Sequence, residues 1–317
     1  YMQIVASENT IYTSPDASKI FFYTPSIIVT PTGRLIVSFD LGGEGVKSIE
    51  GHTSSRAGGS RFGHGKIFIS DDNGQTWTFA HKFPFWHARL FTIGNSIYLI
   101  GHAGDICIMK SEDNGESWSA TYCRTHREKG PASACNVLFS NGNVYLAMEQ
   151  RCRLNEVTGW DVAGLSPTLF RACVEDNLCL ASSWSRSEKF IYKEVFDGAK
   201  LDFFGIPFYD CETNKPKEIA TGINNAPLGW LEANVVKFVD KDHIWHTDLK
   251  EVFHLFLRAH TGGVNYAHLF KIEIQDDQSM IPSLEHTPSG QKISYIPFPG
   301  GHLKFFIIYD ELTRFYW

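Results

Sequence analysis

The chain is 317 residues long and carries 29 Lys+Arg against 35 Asp+Glu, a formal net charge of −6. The absence of a basic excess argues against a nucleic-acid partner or an anionic membrane surface. With 43% hydrophobic and 20% charged residues the chain can bury a core, and no apolar run approaches the roughly 20 residues needed to cross a bilayer.

Read in chain order, short apolar runs separated by turn residues predict strands throughout, and no segment keeps a helical period. Phe21 to Thr30, Arg34 to Phe39, Lys66 to Ser70 and Thr76 to Ala80 form a first group of four. Arg89 to Ile93, Ser96 to Ile100, Asp105 to Lys110 and a strand from Trp118 form a second. Cys135 to Phe139, Val144 to Glu149 and Thr168 to Val174 open a third, which ends near Trp184. Leu231 to Val239, Ile244 to His246, Phe253 to Arg258 and Tyr266 to Ile274 belong to a fourth, with Lys292 to Ile296 as its outer strand or an insertion. Lys304 to Tyr309 and Arg314 to Trp317 read as two strands of a fifth. The turns Pro31-Thr32-Gly33, Gly94-Asn95 and Ser140-Asn141-Gly142 fall between the first and second strands of their groups.

One octapeptide repeats. Ser70-Asp71-Asp72-Asn73-Gly74-Gln75-Thr76-Trp77 returns 41 residues later as Ser111-Glu112-Asp113-Asn114-Gly115-Glu116-Ser117-Trp118. That spacing suits one four-stranded propeller blade, roughly 40–50 residues in repeat families. The Asp-Asn-Gly core makes a tight turn, with Gly at positive φ and Asp accepting from turn amides, and Trp opens the next strand. The expected fold is all-β: one propeller domain over 1–317, with blades near 15–82, 83–125, 130–190, 225–298 and an incomplete one at 299–317. Six blades are expected of the parent protein.

The two octapeptides resemble the Asp box (BNR repeat) of the sialidase superfamily, and the likeness extends at low identity over roughly the whole chain. Phe22-Tyr23-Thr24-Pro25-Ser26 resembles the opening motif of that family, whose Arg grips a substrate carboxylate; Tyr23 stands in its place. The stretch Ser60-Arg61-Phe62-Gly63-His64-Gly65, where the family has a catalytic Asp, contains none. Trp230-Leu231-Glu232-Ala233-Asn234-Val235-Val236 is similar to the segment whose Glu polarises a tyrosine nucleophile, and Phe256-Leu257-Arg258 to the one that supplies a second substrate-binding Arg. The resemblance implies an axial sugar site in which Glu232 and Arg258 act, or an ion pair that ties two strands. It also fits work outside the cytoplasm.

The residues themselves add a set of candidates. His87 and His102, with ordinary imidazole pKa values near ~6.5, can exchange protons at neutral pH. Glu149 and Asp105 are further carboxylates for acid, base or nucleophile roles beside Glu232. Arg89, Arg151, Arg258 and Lys304 can neutralise a carboxylate or sulfate, and His260 follows Arg258 closely. His87 and Arg89, two apart on a strand, are expected on one face, with Trp86 as a stacking ring; Trp230 and Tyr23 join the binding set. His243-x-x-His246, read on a strand, points to opposite faces and is no metal site. Seven scattered cysteines without a C-x-x-C pair leave disulfide pairing open. No cofactor is called for. The leading expectation is a glycoside hydrolase that cuts an acidic oligo- or polysaccharide. A polysaccharide lyase using His, Tyr and Arg on a uronate is the first alternative, and a non-catalytic glycan-binding propeller the second.

Overall fold

The computed structural model describes residues 8–51, 54–55, 62–123, 135–152, 162, 164–196, 218–220, 223–224, 229–259 and 265–317. The fold class is all-β, with antiparallel sheets of four strands, two of them joined by a fifth short strand, of the kind that form propeller blades. Among the described residues the one α-helix is the five-residue turn Tyr192–Phe196, and no helix is long and apolar enough to cross a membrane.

The chain divides into two compact units, Tyr1–Lys129 with Cys179–Ala181, and Gly130–Leu178 with Ser182–Trp317. The first unit holds two blades. Blade 1 is β1 (Phe21–Val29), β2 (Leu35–Gly42), β3 (Phe62–Ser70) and β4 (Thr78–Phe83), with the short pair partner Ser54–Ser55 beside β3. Blade 2 is β5 (Trp86–Ile93), β6 (Ser96–His102), β7 (Ile106–Ser111) and β8 (Tyr122–Cys123). Their core lies between the two sheets. Ile36, Ile67 and Ile69 from blade 1 pack with Leu90, Ile97, Leu99 and Met109 from blade 2, as the period-two alternation of these strands requires.

Both octapeptides fold as the same turn on the outer edge of a blade. Ser70 Oγ donates to Asp72 Oδ1 at 2.7 Å, Asp72 accepts from the Thr76 amide at 2.8 Å, and Trp77 Nε1 closes on the Gly74 carbonyl at 3.1 Å. Ser111, Asp113, Ser117 and Trp118 repeat this pattern in blade 2. Gly74 and Gly115 hold φ of 82° and 88°, the left-handed region where a Cβ is strained. Arg34 then bridges the two turns, donating to both Asp71 oxygens at 2.7 and 2.8 Å and to Glu116 Oε1 at 2.5 Å.

Among the described residues the second unit holds two further blades. Blade 3 is β9 (Val137–Ser140), β10 (Asn143–Arg151), β11 (Leu165–Cys173) and β12 (Trp184–Arg186). Blade 4 is β13 (Trp230–Val236), β14 (Val252–Ala259), β15 (Tyr266–Ile274) and β16 (Met280–Ser283), and β17 (Tyr295–Pro297) pairs with the other end of β15. The outer position of this blade is therefore shared by two short strands. A hairpin of β18 (Tyr309–Asp310) and β19 (Phe315–Tyr316) follows. Tyr145, Ala147 and Leu169 of blade 3 pack with Trp230, Val235, Phe253 and Phe270 of blade 4.

Two strand expectations fail: of Lys304 to Tyr309 only Tyr309 is in a strand, and Ile244 to His246 forms none. Ile244–His246 lies in the loop between β13 and β14, with Ile244 exposed and His246 Nδ1 at 2.8 Å from the Phe238 carbonyl. Three apolar or aromatic residues in a row imitate a strand, yet here His243 stacks on Phe238 and the chain turns. The strand argument about His243 and His246 therefore does not apply.

Candidate functional site

The first strands of blades 1, 2 and 4 share a distortion that the sequence pattern does not reveal. In β1 the register jumps between Tyr23 and Ser26, in β5 between Trp86 and Arg89, and in β13 between Leu231 and Asn234. Each jump inserts one extra residue against the second strand, a β-bulge. In each, the residue after the last regular pair takes a left-handed backbone: Thr24 at φ 43°, His87 at 52° and Glu232 at 59°. Such values in non-glycine residues cost energy and cluster where a side chain must be aimed.

In the second unit the bulge places Glu232 against Arg258, Oε2 to Nη1 at 3.4 Å, while Arg258 Nε donates to the His302 carbonyl at 2.9 Å. Arg258 pairs in register with Leu231, the residue before Glu232. Glu149 comes from β10 of the neighbouring blade. It is fully buried, its Oε1 accepts the Ala233 amide at 3.1 Å, and its Oε2 has no hydrogen-bond partner among the described residues. Burial pushes the Glu149 carboxyl up to about 8; the charge of Glu232 adds to the rise, while the Ala233 amide and the Lys304 ammonium oppose it.

Lys304 is close enough for its charge to act on Glu149. Asn136 Oδ1 accepts the amide of Val235, three residues past Glu232, at 2.7 Å; Asn234 Oδ1 accepts the amide of Ile307, three residues past Lys304, at 3.0 Å. The same kind of link thus holds successive inner segments. Arg151 lies two residues past Glu149 on β10, on the same side of the strand, and is half-buried.

The first unit brings a second group together. His87 Nδ1 lies 3.0 Å from His102 Nε2, and the His87 amide donates to Asp40 Oδ1 at 3.1 Å. Asp40 and His102 are buried. Tyr23 is exposed, with its ring edge-on to Trp86 at 5.9 Å.

Three expectations are corrected. Trp230 is fully buried, stacks on Phe190 and donates its Nε1–H to the Leu165 carbonyl at 3.2 Å, so it is a core residue with no face for a sugar. Trp86 is 6% exposed, walled by Tyr23 and the close backbone of Gly42, and offers no open stacking surface. Arg89 is 8% exposed and donates to the Pro25 carbonyl at 3.1 Å, tying β5 to β1. The shared face expected of His87 and Arg89 assumed regular alternation, which the bulge between Trp86 and Arg89 interrupts. His260, and Ser60 and Arg61 of the stretch without an Asp, lie outside the described residues.

Asp40 was not singled out by sequence reasoning. A signal existed: Ser38-Phe39-Asp40-Leu41 places a carboxylate inside a run that continues an apolar strand, where an unpaired charge is costly.

No family model matches the chain, and no curated protein matches it. Among solved structures, the chain is similar to the α-L-arabinofuranosidase from Lactobacillus brevis, at 13% identity and a TM-score of 0.46, covering 86% of this chain and 81% of that one. It is similar to the K499G mutant of the NanB sialidase from Streptococcus pneumoniae, at 10% identity and 0.47, covering 86% and 49%. A protein of unknown function from Dyadobacter fermentans is similar at 14% identity and 0.46, covering 84% and 68%.

Proposed function

We propose that the protein is a glycoside hydrolase acting on an acidic oligo- or polysaccharide, with Glu149 and Glu232 as its working carboxylates. The observation that carries this reading is their inequality. Glu149 is pushed up to about 8 and keeps its proton at neutral pH, whereas its neighbour Glu232 is ion-paired with Arg258. Pairs of carboxyl groups held in different states are the arrangement that divides acid from base or nucleophile in glycoside hydrolysis. Glu149 supplies the proton to the leaving oxygen, and Glu232 supplies negative charge to the sugar carbon or to the attacking water.

Charge supports an acidic substrate. With Glu149 neutral, Glu232 is, among the described residues, one carboxylate beside Arg258 and Lys304, with Arg151 further along β10. The surplus cations favour a substrate carboxylate or sulfate through charge-assisted hydrogen bonds.

The test is a panel of acidic glycans incubated with the full chain, following new reducing ends and absorbance near 235 nm together. Reducing ends without absorbance support the hydrolase. Reducing ends with rising absorbance mean β-elimination and a lyase. Binding with neither signal means a non-catalytic glycan-binding module.

A further inference from the structure

The places that carry Glu232 and Arg258 in blade 4 have counterparts in blade 2. Glu232 is the left-handed residue of its bulge, and Arg258 pairs in register with the residue just before it, Leu231. His87 is the left-handed residue of its bulge, and His102 pairs with the residue just before it, Trp86. In both blades the two side chains at these positions meet, at 3.4 Å in blade 4 and 3.0 Å in blade 2. The carboxylates of the preceding blades repeat as well. Asp40 of β2 accepts the His87 amide at 3.1 Å, as Glu149 of β10 accepts the Ala233 amide at 3.1 Å.

We propose that the His87–His102 pair is a second acid–base centre of this protein, and that Asp40 is the residue that positions it. Two imidazole nitrogens at 3.0 Å must divide the roles of donor and acceptor, so one proton bridges the pair. A first added proton is shared by both rings. A second removes the acceptor and sets two like charges side by side, so the pair titrates in two separated steps that belong to neither ring alone.

Asp40 acts through the backbone. The left-handed turn at His87 aims its ring at His102, and the Asp40 carboxylate holds the amide of that turn. Without an acceptor, a half-buried N–H is left unsatisfied and the bulge loses what distinguishes it from regular pairing, in which His87 turns away. The close approach is built into the neighbouring strands. A Cβ on Gly101 would lie 2.5 Å from the Trp86 carbonyl oxygen, and one on Gly42 would lie 2.7 Å from the Trp86 ring. Among the described residues, the ionisable groups on the strands around the pair include Tyr23 on β1, Asp40 on β2, His64 opposite Leu41 and Lys66 opposite Phe39 on β3, Arg89 on β5, Tyr98 on β6, Asp105 before β7 and Cys107 on β7 opposite Gly101. This inference does not depend on the roles assigned to Glu149 and Glu232.

Long-range proton–nitrogen NMR of the histidine rings in the full chain tests it, with pH taken from about 4.5 to 8.5 and His87→Gln and His102→Gln used for assignment. The wild type is expected to show His87 and His102 titrating together in two steps about one pH unit or more apart. His102→Gln is expected to leave His87 with a single step. Asp40→Asn keeps an acceptor for the His87 amide and should keep the coupling; Asp40→Ala should abolish it. Where Asp40→Ala does not fold, Asp40→Glu moves the carboxylate by one methylene and should weaken the coupling. Independent single-step titrations in the wild type overturn the acid–base pair. Coupling that survives Asp40→Ala, or that is lost in Asp40→Asn but intact in Asp40→Glu, overturns the positioning role.

Discussion

Glu232 and His87 occupy the same position in two blades: each is the left-handed residue of a one-residue bulge on a first strand, at φ 59° and 52°. Glutamate does not accept this region readily, whereas histidine, with asparagine and aspartate, is enriched in it. The backbone at Glu232 therefore holds strain of about 1–3 kcal/mol, His87 is under less, and both positions carry chemistry-bearing side chains.

Glu232→Gly should separate stability from function. Glycine adopts the left-handed region freely, a gain of about 1 kcal/mol. The ion pair lost with Arg258 is partly open to solvent and contributes about 0–1 kcal/mol. Thermal unfolding should show a midpoint unchanged or raised, while turnover disappears. A midpoint several degrees below wild type would mean that the left-handed turn is not strained.

Glu149 should leave a pH signature in stability. Its folded carboxyl ionises near 8, against 4.5 for the unfolded reference, so between these values unfolding releases a proton. The stability that the neutral carboxyl contributes is fully present below about 4.5 and is lost as the pH rises towards about 8. The slope is about 1.4 kcal/mol per pH unit at most. Glu149→Gln lacks this dependence, so wild type should lose ground against it between pH 5 and 8 in denaturant melts. A gap that stays constant across that range contradicts the raised carboxyl. If Glu149 is the general acid, wild-type turnover should also fall above about pH 8.

Gly101→Ala tests how tightly β6 presses on the bulge. The new Cβ would meet the Trp86 carbonyl oxygen at 2.5 Å, and a backbone atom cannot swing away as a side chain does. A loss of about 1–3 kcal/mol is expected from the urea midpoint. A neutral substitution would show that the strands have more room than this close approach implies.

Arg34→Met should weaken the first unit in a salt-dependent way. Arg34 joins Asp71 of blade 1 to Glu116 of blade 2, and its guanidinium holds the Asp71 carboxyl below the usual range. Both carboxylates are solvent-exposed, so screening reduces what the network contributes. The variant should melt lower than wild type in dilute buffer, with a smaller gap in molar salt. A gap that does not change with salt would assign the effect to packing.

The blades were legible because their signals are local. The repeated Ser-x-Asp-x-Gly-x-Ser/Thr-Trp places its own hydrogen bonds within eight residues, and apolar runs between turns mark strands such as β1 and β6 closely. Ile244–His246 misled because three residues carry too little period to tell a strand from a turn that stacks aromatic rings. At the site, Glu232 beside Arg258 was visible through family likeness, and the closeness of His87 to His102 was not visible at all. The reason is the bulge: one added residue changes which side chains meet, and nothing in Trp86-His87-Ala88-Arg89 announces it. Asp40 and the state of Glu149 depend on burial between blades, which strand patterns read one at a time do not contain.

The most direct measurement is the rate of reducing-end release from an acidic oligosaccharide by wild type and by Glu232→Gln, with circular dichroism to show that both are folded. Hydrolysis by wild type without absorbance near 235 nm is expected, with a loss of about 10³-fold or more in the variant, the scale of removing a group that acts in the transition state. Wild-type cleavage that persists within tenfold in the folded variant would contradict this expectation.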